Sequence, residues 1–146
     1  GYFRNTTEND CVKWPNNCTG HIVDYPCGWS SFVRQQAHHL DIAVESNGKQ
    51  PGSNGYSYGE MTQIWAAANR TKSHVVLNWW QPEALYQEFL GSEFEFQRVQ
   101  LPPPTQDCVE HRVSPADRCS EDQAVKVGSP LGACDEAPHA LSRLLD

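Results

Sequence analysis

No apolar stretch in these 146 residues approaches the ~18 that a membrane-spanning helix needs. Basic charge is scarce: 11 Lys and Arg face 18 Asp and Glu, for a net charge of −7. Nucleic acid and anionic membrane surfaces both require a basic face, so neither is expected as the main partner. There is no Gly-rich phosphate loop, internal repeat or low-complexity tract. Gly28–Trp29–Ser30–Ser31 falls short of the G-x-S-x-G turn that presents a nucleophile, and no two carboxylates stand out as an acid–base pair. A non-catalytic protein without a cofactor is therefore expected. Gly1–Tyr2–Phe3–Arg4 is not the charged start and apolar core of a signal peptide, which reads as a mature chain or one cut from a longer protein.

Cysteines and glycosylation sequons are present in excess. Cys11, Cys18, Cys27, Cys108, Cys119 and Cys134 form an even set, three near each end. Asn5, Asn17 and Asn69 each open an N-x-Ser/Thr sequon, where eight asparagines would give about one by chance. Together these features predict an oxidised, N-glycosylated, extracellular protein, with all six cysteines in disulfides. Six cysteines allow fifteen pairings, and a local Cys108–Cys119 bridge is the expected first member. Cys108 and His111 with Cys119 and Cys134 offer a zinc alternative, but their spacing is irregular and oxidation favours disulfides, so no metal is expected.

The length suits one domain with a single core. Residues 1–20 are polar and carry two sequons, reading as a glycosylated surface segment. Residues 21–100 read as an α/β core. His21–Tyr25 is a short strand, Ser30–Ser31 caps a helix through Phe32–Leu40, and Asp41–Ser46 is a second strand. A glycine-containing loop over 47–55 precedes Ser57–Tyr58–Gly59–Glu60, which has capping-box form. The helix it opens runs to Asn69 with Met61, Ile64, Trp65 and Ala68 on one face, so Trp65 reads as core. His74–Asn78 is a strand, Pro82–Leu90 a helix stopped by Gly91, and Glu93–Gln100 alternates as a half-buried strand. Residues 101–135 read as a Pro/Cys-rich loop with only Ala124–Val127 structured, and 136–146 as a final helix. Alternating strands and helices predict an α/β lobe with a mostly parallel sheet and disulfide-stapled ends.

The aromatic residues are the best binding candidates. Trp79 and Trp80 follow one predicted strand and Trp29 follows another, each just before a helix. Parallel strands joined by right-handed crossovers bring such turns to one edge, where open α/β sheets bind ligands. Trp80, Trp79, Trp29 and Tyr86 are thus expected to face a quaternary ammonium group or a sugar ring.

The segment Lys72–Tyr86, within Tyr58–Thr105, resembles the substrate-binding proteins of glycine betaine-type ABC importers, which are type 2 periplasmic binding proteins. That resemblance implies a strand ending in Trp-x-Pro whose tryptophan joins an aromatic cage around the ligand's trimethylammonium group. Trp80–Gln81–Pro82 matches the motif, and Trp79 lies one residue out of register. His21–Trp29 is loosely similar to the start of the same lobe. The match covers about a third of the chain well. The bacterial family has two lobes, a longer chain and none of this cysteine and glycan load, so one lobe alone offers half a cage. Two functions follow as expectations. The first is a secreted binding module for a small cation or sugar. The second is a structural subunit of an extracellular assembly (a fibre, coat or scale), paired with further copies or a second lobe.

Overall fold

A computed structural model of the chain describes residues 20–29, 31–45 and 55–136. The expectations for Cys11, Cys18, Asn5, Asn17 and the final helix concern residues outside these. Three short strands, β1 (Gly20–Val23), β2 (Val44–Glu45) and β3 (Val76–Leu77), form a parallel sheet in the order β2-β1-β3. Helix α1 (Val33–His39) connects β1 to β2, and α2 (Tyr58–Thr71) lies between β2 and β3. Helices α3 (Ala84–Phe89), α4 (Gln106–Glu110) and α5 (Gln123–Val127) follow, with 3₁₀ turns at Asp117–Cys119 and Pro130–Gly132. The fold is mixed helix and strand around a small parallel sheet.

Helix α2 forms where its capping box predicts. Ser57 Oγ accepts from the Glu60 N–H and the Glu60 carboxylate accepts from the Ser57 N–H, which satisfies two of the helix's unpaired donors. The helix runs two residues beyond Asn69 and closes at Lys72 in the left-handed region. Its inward face buries Met61, Trp65 and Ala68. Val23, Tyr25, Tyr56 and Met61 form the core beneath it, with Ile64, Val75, Leu77, Trp79 and Trp80 packed against them.

The expected strand Glu93–Gln100 is absent: 91–94 turns and 95–100 is irregular. Its alternation serves side-chain packing alone, with Phe96 edge-on to Trp65 at 4.3 Å. Pro82 is not the first helical residue. The Gln81–Pro82 bond is cis, and α3 starts two residues later behind Glu83, whose carboxylate caps it. Gly91 does take the expected left-handed conformation just past that helix.

Residues 101–135 hold more structure than a stapled loop. Thr105 caps α4, Asp122 caps α5, and Ser129 caps the Pro130–Gly132 turn. This region docks on α1 through two buried glutamines. The Gln35 amide donates to the His111 and Ser129 carbonyls at 3.1 and 2.8 Å and accepts from the Val113 N–H at 3.2 Å. The Gln36 amide donates to the Cys134 carbonyl at 2.8 Å.

The expected Cys108–Cys119 bridge is not formed. Cys27 pairs with Cys119 and Cys108 with Cys134, across separations of 92 and 26 residues. Folding of the tail onto α1, rather than proximity in sequence, selects these partners. The thiols that the zinc alternative needed are thereby consumed.

Candidate ligand site at the carboxyl edge of the sheet

The connection from β1 runs to β2 on one side, and the connection from β2 crosses back to β3 on the other, so the winding reverses at β1 and β3. That is the switch point where open parallel sheets hold ligands. Asp24 leaves β1 there and Asn78 leaves β3. The buried Asp24 carboxylate accepts from the Tyr25 N–H at 2.8 Å, from Ser31 Oγ at 2.7 Å and from the Asn78 amide at 2.9 Å. This knot ties the first residues past each strand together and fixes where the following aromatics stand.

Tyr25 is the centre of the aromatic group. Its ring meets Trp29 at 5.6 Å and Trp80 at 5.5 Å, so the two tryptophans expected to be neighbours are joined through a tyrosine between them. Trp29 is 44% exposed, whereas Trp80 is half-buried. Trp80 stacks on Trp79 at 4.7 Å and approaches Tyr58 at 5.9 Å. Trp79 turns its other side to Trp65 at 5.1 Å and thus links the rim to the core. Tyr86 stands apart: among the described residues it makes no ring contact with the group, and its N–H donates to Glu83 at 3.3 Å.

Glu83 organises the rim. Its carboxylate accepts from Tyr58 Oη at 3.0 Å, Trp79 Nε1 at 3.1 Å and the Leu85 N–H at 2.9 Å. The hydrogen bond to Glu83 raises the Tyr58 phenol's pKa. Burial first, then the Glu136, Asp24 and Glu83 charges, hold the Tyr25 phenol protonated far above its usual range. The Glu136 carboxyl is itself raised by burial, against the pull of Arg112. The Tyr25 hydroxyl is buried and has no hydrogen-bond partner among the described residues. Sequence reading counts Tyr25 and Tyr58 among the aromatics without placing them at the site, and misses Glu83. The Trp79–Glu83 spacing of four residues was visible, but neither tyrosine adjoins a tryptophan in sequence.

Asn69 lies half-buried in the last turn of α2 rather than at its end. Among the described residues, no group of three His, Cys, Asp or Glu side chains is arranged to hold a metal, and no helix is long and apolar enough to cross a membrane. No family model, curated protein or solved structure matches the chain.

Proposed function

We propose that the chain is a secreted, N-glycosylated, non-catalytic binding module that takes a quaternary ammonium group or a sugar ring on its aromatic rim. The observation that carries this reading is the Tyr25–Trp29–Trp80 group standing at the switch point of a parallel sheet. Aromatic faces attract cations through their quadrupoles, by about 0.5–2 kcal/mol each. Trp80 is the principal contact, with Trp29 and Trp79 beside it, while Tyr86 contributes least. The resemblance to glycine betaine-type binding proteins agrees with this placement. The finer architecture belongs to the proposal too: right-handed crossovers in the order β2-β1-β3 would set α1 and α2 on opposite faces, making one three-layer lobe. Two disulfides among the described residues and three sequons support an extracellular setting.

Titration of the glycosylated chain with tetramethylammonium and with a neutral monosaccharide, read by tryptophan fluorescence and calorimetry, tests the site. Saturable binding of either, lost in Trp80→Ala with the fold retained, is the expected result. A second reading, a structural subunit of an extracellular assembly, draws on exposed apolar side chains such as Val99 at 70%. Polymers that grow with concentration and ignore both ligands would favour it.

A further inference from the structure

The rim is anionic as well as aromatic. Among the described residues, every donor to the Glu83 carboxylate is neutral: a phenol, an indole and two backbone N–H groups. Neither Glu83 nor Glu136 forms an ion pair with a described residue. The neighbouring guanidinium groups make their hydrogen bonds to other partners, although Arg112 Nε has none among the described residues. Arg98 pairs with Asp135 at 2.7 Å, Arg112 donates to the Asp135 carbonyl, and Arg118 donates to the Cys27 carbonyl at 3.2 Å. Arg112 and Arg118 also lie over the Phe32 ring, at 4.7 and 5.1 Å. A second, independent observation points to an occupant: the Tyr25 hydroxyl, on a side chain only 7% exposed between Trp29 and Trp80, has no hydrogen-bond partner among the described residues. Buried hydroxyls are almost always satisfied, and this one, at a sheet's switch point, has no partner among the described residues.

Resting on the aromatic-site reading above, the geometry points to a narrower ligand class: organic cations that carry no carboxylate of their own, with Glu83 as the selecting residue. A fixed carboxylate against Tyr58 and Trp79, both of which touch Trp80, attracts a cation seated on those faces and repels a ligand anion beside it. A cation bearing a hydroxyl also supplies an acceptor for the Tyr25 phenol. A zwitterion places its carboxylate against the Glu83 charge of the same sign, which a cation without a carboxylate avoids.

The test titrates the full glycosylated chain, and its Glu83→Gln variant, with tetramethylammonium, choline and glycine betaine. The amide introduced by Glu83→Gln keeps an acceptor for the α3 cap, and thermal melts confirm the fold. At a separation of about 7 Å and an intermediate effective dielectric, choline is expected to bind about tenfold tighter than glycine betaine. In Glu83→Gln the choline-to-betaine ratio falls to about threefold or less, a change that simple loss of packing would not produce. Binding of tetramethylammonium with betaine equal to or tighter than choline overturns the selection and leaves the aromatic site standing. No binding of any of the three overturns the cation site itself. An unchanged ratio in Glu83→Gln removes Glu83 as the selecting residue.

Discussion

Single side chains divide into those that hold the molecule and those free to serve a ligand. Trp65 is almost fully buried and touches Trp79, Phe89 and Phe96, so Trp65→Ala should cost ~3–5 kcal/mol in chemical denaturation. Tyr25→Phe should behave oppositely in the ligand-free protein. It removes a buried hydroxyl with no partner among the described residues, and stability should hold or rise by up to ~1 kcal/mol while cation binding weakens. Gly132 has no room for a side chain, since a Cβ would strike the His111 carbonyl and the Gln35 amide, and Gly132→Ala should cost ~1–3 kcal/mol. His21 carries a pH signature. Burial and then Arg34 hold its pKa below the ordinary 6.5, so on acidification the unfolded chain takes up the proton first. Stability should therefore fall as pH drops from 6.5 through the folded value. Glu136, raised by burial, gives the opposite slope: its contribution is lost as pH climbs from 4.5 through its folded value. Comparing wild type with His21→Gln by denaturation at about pH 7 and about pH 5.5 separates the two, and the variant should lose the His21 slope.

Among the elements, the best-marked in sequence were those with local chemistry to declare them. Helix α2 follows its capping box and apolar stripe, and Ser57→Ala should lower its stability by ~0.5–2 kcal/mol, read from the shift in the denaturation midpoint. All three parallel strands lie within their expected segments or one residue outside them, though shorter, because only the residues that reach a neighbour complete a ladder. Glu93–Gln100 alternates as a strand should, yet alternation specifies a face and not a partner strand. Phe96 found its face on Trp65, and no fourth strand was completed among the described residues. Ser31 was expected to cap α1. Its oxygen accepts from the Val33 N–H at 3.4 Å, a long bond to the first helical residue, while its hydroxyl donates to the buried Asp24 carboxylate at 2.7 Å. The tryptophans at the site were legible because each sits in a strand-to-helix turn. Tyr25, their common neighbour, was not, because ring contacts across strands leave no trace in spacing.

At the scale of the whole molecule, covalent links replace what a sheet of two- and four-residue strands cannot supply. In the chain-entropy account, the Cys27–Cys119 bridge restricts the unfolded state more than Cys108–Cys134, because its loop is longer. Removing the first pair should cost ~1 kcal/mol more than removing the second, from a base of ~3–4 kcal/mol, as measured with paired Cys→Ala variants. Peptide mapping after glycosidase treatment should find sugars at Asn5, Asn17 and Asn69, and an unmodified Asn69 would mean the last turn of α2 is closed to the transferase. The Cys27–Cys119 link also sets a timetable. At ~5–20 residues per second, the ribosome delivers Cys119 roughly 5–20 s after Cys27. For most of that interval the cysteines of this sequence already made beside Cys27 are Cys11 and Cys18, until Cys108 arrives shortly before the native partner. The chain thus emerges with its wrong partners first, and its yield should depend on a disulfide isomerase able to undo an early bridge near the amino terminus.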